Sequence, residues 1–203
     1  MTFLSICLGF LLGVLLALGR VYGNRIISGV CISYIEIIRG TPLLVQLFIL
    51  YFGLPSIGVS LRPIEAAIIG LALNSGAYQA EYLRGSIQSI QSGQMIAART
   101  LGMSKIRSIQ NIILPQSLRI SIPAWSNELI YLLKYTSIVY FIQVEELTAE
   151  GIFIASRNFR YIEIFAMIAL IYLVLTILFT SIIDVIEKRL SIPGLGITKS
   201  ARL

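Results

Sequence analysis

"MIAARTLGMSKIRSIQNIILP", residues 95–115, is a basic stretch of small residues set in an apolar chain. Arg99, Lys105 and Arg107 stand among alanines, serines and isoleucines, and Leu114-Pro115 closes the run. It is too polar to be a spanning segment, and it carries no acid-base or nucleophile pattern. Its meaning depends on what surrounds it.

The surroundings belong to a membrane protein. Of 203 residues, 57% are hydrophobic and 13% charged. Soluble domains run at about 45–50% apolar and about 25% charged. The chain has no histidine, which removes imidazole bases and HExxH zinc sites. Its two cysteines, Cys7 and Cys31, lie in or beside apolar runs and read as small core residues, with no disulfide framework.

Apolar runs divide the chain into about five expected membrane helices, at residues 3–19, 26–54, 64–83, 120–144 and 164–183. The whole of 1–203 then forms one all-α integral membrane domain, with 84–119 as a polar loop region. Nothing basic precedes the first run, and Arg20 and Arg25 follow it, which is the wrong order for a signal peptide. Gly9 and Gly13 form one GxxxG step suited to close helix packing. Gly40-Thr41-Pro42 interrupts the second run and predicts a kinked helix, with Arg39 snorkelling beside the bend or marking a gate. Residues 145–160 read as a connection, acidic and then basic.

Five spans put the termini on opposite sides. Twelve of the sixteen Lys and Arg then share one side, while Arg62, Arg157 and Arg160 lie on the other. The positive-inside rule makes the rich side cytoplasmic. The N-terminus is therefore expected outside, with 84–119 and the C-terminus inside.

The opening stretch should form a short helix over residues 94–104. Ala97, Ala98 and Leu101 favour helix, and Gly102 is placed to end it. Ala97, Ala98, Leu101 and Gly102 make a low face that permits close approach by another surface, and Arg99, Lys105 and Arg107 give it a positive rim. Pro115 suits a bend where the chain re-enters the membrane. An amphipathic helix lying on the lipid surface is the plainer reading.

A longer pattern decides between them. ABC-importer permeases carry a cytoplasmic motif of the form EAA, three residues, Gly, nine residues, Ile-x-Leu-Pro. Ala97-Ala98, Gly102 and Ile112-Ile113-Leu114-Pro115 meet every spacing, and Ile96 stands where the family usually has Glu. Further stretches resemble the polar-amino-acid branch: "RGTPLLVQLFILYFGLP" (39–55), "LNSGAYQAEYLRGSIQSIQSGQ" (73–94), "NELIYLLKYTS" (127–137) and "FRYIEIFAMIALIYL" (159–173). The resemblance implies a type I ABC importer permease fold. It also implies that the motif helix is a coupling helix, docking on a cytoplasmic ATPase through Ala97, Ala98, Arg99, Leu101, Gly102, Leu114 and Pro115. Such permeases usually place an external segment and a fuller first helix before the region matching Phe3, so a clipped start and a marginal first span are expected.

Charges inside a bilayer cost roughly 2.5–3.5 kcal/mol each at a helix centre, which makes them functional candidates. Asn74, Tyr78 and Glu81 share one stripe of the third span, and Asn127, Tyr131 and Lys134 share one of the fourth, with Glu128 beside it. Two such stripes can face a shared cavity. A zwitterionic amino acid needs an anion for its ammonium and a cation or amide for its carboxylate. Glu81 or Glu128 can serve the first, and Lys134, Asn74 and Asn127 the second. Equally, Glu81 and Lys134 can pair and hold two helices together. Glu163, at the edge of the fifth span, is a further candidate. Three carboxylates against one Lys134 lean towards a cationic or neutral polar substrate.

No GxxxxGK[ST] occurs, so ATP must be bound by a separate subunit, and the chain needs no cofactor or metal of its own. The expected partners are two copies of a cytoplasmic ABC ATPase, a second permease subunit (identical or paralogous), an external substrate-binding protein and an amino acid, with no nucleic acid. The alternative is a secondary transporter or channel using the intramembrane Glu and Lys residues, although no inverted repeat is evident. A membrane enzyme has no catalytic residues to support it.

Overall fold

The computed structural model describes residues 1–90 and 92–190. The expected cytoplasmic tail, residues 191–203, lies outside them. Among the described residues every regular element is helical. In order they are α1 (Thr2–Tyr22), α2 (Arg25–Gly40), α3 (Leu43–Phe48), α4 (Pro63–Ser89), α5 (Ser92–Thr100), α6 (Lys105–Ser108), α7 (Leu114–Tyr135), α8 (Leu147–Asn158) and α9 (Tyr161–Leu190).

Two helices are long and apolar enough to cross a membrane, Thr2–Tyr22 and Tyr161–Glu187, or three if α2 and α3 count as one bent span. The α4 and α7 helices fall outside that test because they carry amides, hydroxyls and carboxylates, most of them turned inward. Ser75, Gln79, Ser121, Ser126 and Glu128 are all buried. The large aliphatic side chains of α9 are mostly exposed, as a lipid-facing helix requires.

The expected kinked span 26–54 is instead two helices bent by 105°. Pro42 is the cause. The residue before a proline is driven out of the α region, and Thr41 sits at φ −118°, ψ 145°. The last carbonyls of α2 would then be orphaned. Gln46 takes them up: its Nε2 donates to Ile38 O at 2.7 Å and Thr41 O at 3.1 Å. The amide oxygen of Gln46 accepts from Asn74 Nδ2 at 3.0 Å. From α3 the chain passes through a π turn, Ile49–Gly53, and a 3-10 turn, Leu54–Ile57.

The other expected boundaries also move. The third span runs longer, with α4 reaching Ser89. Its start is fixed by Pro63 in the first turn and by Arg62 N–H donating to Glu65 Oε2 at 2.9 Å. The fourth span stops as α helix at Tyr135 and continues as a 3-10 helix, Thr136–Ile142. Residues 145–160 hold a helix where a connection was expected. Glu146 caps α8, accepting from Thr148 N and Ala149 N, each at 2.9 Å. The fifth span is thirty residues long rather than twenty.

The strongest packing is α1 on α4. A Cβ built on Gly13 would stand 2.9 Å from Gln79 Cβ and 3.1 Å from Gly76 O. Gly76 in turn lies under Leu12. The GxxxG step thus meets a glycine on the facing helix, and the backbones approach as only small residues allow. Gln79 locks the seam, its Nε2 donating to Ile6 O at 3.3 Å while its Oε1 accepts from Trp125 Nε1 at 2.7 Å. One apolar cluster, around Leu47, Leu71, Leu132 and Ile142, joins α3, α4 and α7. A second, around Ala17, Leu83, Ile87 and Ile113, joins α1 and α4 to the start of α7.

Candidate functional site

Three arrangements carry the chemistry. The first is built on Glu81 of α4. Arg20 Nη1 from α1 lies 2.5 Å from its carboxylate, Arg84 Nη2 from α4 lies 2.9 Å away, and Arg39 Nη1 from α2 lies 3.6 Å away. Arg39 also stacks 5.2 Å from the Tyr78 ring centroid. Arg39 therefore does more than snorkel, since it ties the elbow to α4. Glu81 does not pair with Lys134, whose ammonium lies 4.8 Å over the Tyr131 ring. Helical periodicity gives faces but not partners, so this triple engagement was out of reach of the sequence.

The second arrangement is built on Glu128 of α7, which is 4% exposed. Tyr82 Oη donates to its Oε2 at 3.2 Å, and the Ser75 hydroxyl lies nearby. Tyr135 comes near Glu128, Tyr78 and Tyr131. Tyr131 and Tyr135 stack with centroids 6.4 Å apart. Among the described residues, no Lys or Arg nitrogen forms an ion pair with Glu128. A buried carboxylate solvated by hydroxyls and flanked by aromatic rings can receive an organic cation.

The two expected stripes meet only in part. Tyr78 and Glu128 both lie near Tyr82 and Tyr135, with no direct hydrogen bond between the two. Asn74 is buried and taken up by Gln46. Asn127, Tyr131 and Lys134 lie on the exposed face of α7, and Glu128 is on the buried one. Glu163 stands apart, in an exposed ion pair with Arg160 at 3.1 Å. The sequence reading missed Gln46, Tyr82, Ser75 and Arg20. A lone amide in "LLVQLFIL" just past a proline break was the signal for Gln46.

The third arrangement is the loop region. The α5 helix runs Ser92–Thr100 and so ends four residues before the expected limit of residue 104. Gly102 N–H donates to Arg99 O at 3.0 Å and Met103 N–H to Ala98 O at 3.1 Å. This paired bonding is the Schellman closure, and it needs the φ of +83° that Gly102 adopts. The turn inverts part of the expected face. Ala98 is 1% exposed, packed inward, while Leu101 is 83% exposed. Ala97, Arg99 and Gly102 are exposed with Leu101, and so is Pro115. Leu114 packs partly against the second apolar cluster. Lys105 stays exposed but turns towards α1: its Nζ donates to Tyr22 O at 3.3 Å, at the end of that helix. From α6 the chain runs through a π turn, Ile109–Ile113, straight into α7, with Pro115 in the first turn.

Comparison with known proteins completes the site. Residues 9–192 match the family described as the binding-protein-dependent transport system inner membrane component. The chain belongs to this family. The permease is 39% identical over 186 residues to the glutamine transport system permease protein of Escherichia coli (strain K12), covering 91% of this chain and 85% of that one. It is 40% identical over 191 residues to the L-cystine transport system permease protein of Bacillus subtilis (strain 168), covering 94% and 82%. Among solved structures, it superposes on an amino acid ABC transporter crystallised with histidines, with a TM-score of 0.85 and 41% identity, covering 93% of this chain and 88% of that one. The MetNI methionine ABC transporter in an inward-facing form gives a TM-score of 0.78 at 21% identity, covering 95% and 92%, and so shares the fold.

The fold is therefore that of a type I ABC importer permease. The permease is the membrane subunit of a binding-protein-dependent importer, and ATP hydrolysis belongs to a separate subunit. An ATPase and a substrate-binding protein are its partners. The self-contained secondary transporter or channel falls away with this membership.

Proposed function

We propose that the permease carries a polar amino acid into the cytoplasm by alternating access, driven by an ATPase that docks on the region around α5. The single observation that carries this reading is the exposed Schellman turn at Gly102. It presents Ala97 and Arg99 on a short helix, with Leu101 in the turn that follows, within a stretch that meets the spacing of the importer motif. The named relatives of the chain move glutamine and L-cystine, which supports an amino-acid substrate.

The permease has five membrane crossings, with its N-terminus outside and residues 84–119 and the C-terminus in the cytoplasm. Two permease subunits, identical or paralogous, enclose the path, and two ATPase subunits bind ATP below them. Closure of the ATPases opens the path outward, and hydrolysis returns it inward. Glu128 receives a cationic or neutral polar group, framed by Tyr82, Tyr78 and Tyr135. Lys134 and Asn127, on the exposed face of α7, hold the substrate carboxylate.

Co-purification tests the docking. The ATPase comes down with the tagged chain, Ile96→Glu keeps it, and Gly102→Asp releases it and stops uptake. Undiminished uptake by Gly102→Asp would end this reading. For the substrate, ATPase stimulation of the reconstituted complex is measured across an amino-acid panel. A response to glutamate alone would overturn the role given to Glu128.

A further inference from the structure

We infer that Lys105 is a positioning residue that fastens the ATPase-docking region to α1, so that displacement of the docking helix moves α1 and α4 as one body. The inference rests on the docking reading above and adds the mechanical contact through which the docking acts.

Four observations converge on it. Lys105 Nζ donates to Tyr22 O at 3.3 Å and lies 5.6 Å from the centroid of the Tyr22 ring. The carbonyl belongs to the last residue of α1, one of the groups a helix end leaves without an internal partner. A cation there is also favoured by the helix dipole. Lys105 is held in place by its own turn, since Ser104 Oγ accepts from Arg107 N and Ser104 O from Ser108 N. Beneath it, Met95 of the docking helix and Ile112 pack on the apolar cluster that contains Ala17 and Leu83. The two ends of the contact are thus a capped turn and a helix terminus, neither free to yield alone.

What α1 does next follows from its seam with α4. Backbone approaches at Gly9, Gly13 and Gly76 leave no room for sliding. Two residues before Tyr22, Arg20 reaches Glu81 and through it Arg39 at the elbow. A push on Lys105 therefore arrives at the elbow through rigid parts. Rigid elements joined by discrete contacts can carry coupling between distant sites.

The experiment uses the reconstituted importer in proteoliposomes. Recovery of the ATPase with the unmodified chain is read first, and its absence overturns the docking reading and this inference together. The ratio of ATP hydrolysed to substrate moved is read next. Lys105→Met raises it about two- to fivefold, with the ATPase recovered as before. Lys105→Arg restores the ratio, which a lost packing contact alone would not require. Tyr22→Leu removes the ring and keeps the carbonyl, giving a smaller rise. The double variant does no worse than Lys105→Met, because both contacts belong to one ammonium. An unchanged ratio in Lys105→Met overturns the inference and leaves docking intact. Loss of the ATPase from Lys105→Met also overturns it, placing Lys105 on the docking face instead of on α1.

Discussion

Glu81 and Glu128 are both acidic residues within membrane helices, and their surroundings are opposite. Glu81 meets Arg20, Arg39 and Arg84, drawn from three helices. Glu128 meets hydroxyls and aromatic rings, with no cation among the described residues. The first carboxylate is satisfied by the protein and joins α1, α2 and α4. The second is hydrogen-bonded but meets no Lys or Arg nitrogen among the described residues, which is why it, and not Glu81, is the one proposed to meet a substrate. Burial alone would have ranked them the same way round for neither role, because the number of cations facing each decides it.

Substitutions can break this contrast. The largest effect is expected at Glu81. Glu81→Gln leaves three partly buried arginines facing one another, and the loss of a charge-assisted bond there costs about 1.5–3 kcal/mol. Thermal unfolding of the detergent-solubilised chain should drop sharply. A stable Glu81→Gln would mean that the arginines find solvent on their own. Glu128→Gln should do the reverse. The amide keeps the Tyr82 contact and the volume of the side chain, so the unfolding temperature holds. Uptake of a cationic amino acid falls about 10- to 100-fold, the loss of one charge-assisted hydrogen bond of about 1.5–3 kcal/mol. A loss of stability without a loss of uptake would reverse the assignment.

Smaller effects sharpen the comparison. Gln46→Leu keeps volume but frees Ile38 O, Thr41 O and the Asn74 amide, of which only the last is on a buried residue, at a cost of about 1–3 kcal/mol for that group left unmet. Protease susceptibility at the elbow reads it out. Gly102→Ala has open space for its methyl but adopts φ +83°, so strain of about 1–2 kcal/mol is expected. Gly102→Asn should cost less, because asparagine visits that region more readily. The Arg62–Glu65 pair is exposed, and Arg62→Ala should leave the unfolding temperature unchanged.

The residues explain which parts of this were legible in the sequence. Hydropathy marked the apolar helices because lipid-facing α9 is aliphatic almost all round. Gly102 was legible because a helix stop needs its conformation, and the motif spacing carried the family. The elbow was half legible: Pro42 announced a break but not an angle of 105°, which depends on what Gln46 and Asn74 hold together. The α8 helix was missed because its start is capped by Glu146, an acidic residue read as part of a charged connection. Asn74 and Asn127 occupy matching places in their stripes, and only packing separates them, since periodicity says which residues share a face and not which face is inside. Arg20 was counted as a loop charge because its partner is 61 residues away.

That separation has a consequence for synthesis. Arg20 has no Glu81 to meet until the chain has grown by those 61 residues. At about 5–20 residues per second, the wait is roughly 3–12 s. During it the glycine groove of α1 faces lipid and the guanidinium must stay at the water boundary. The arrival of α4 then seats the groove and discharges the arginine in one event. A substitution at Gly13 would therefore act first on the yield of inserted protein, before any transporter exists whose activity could be measured.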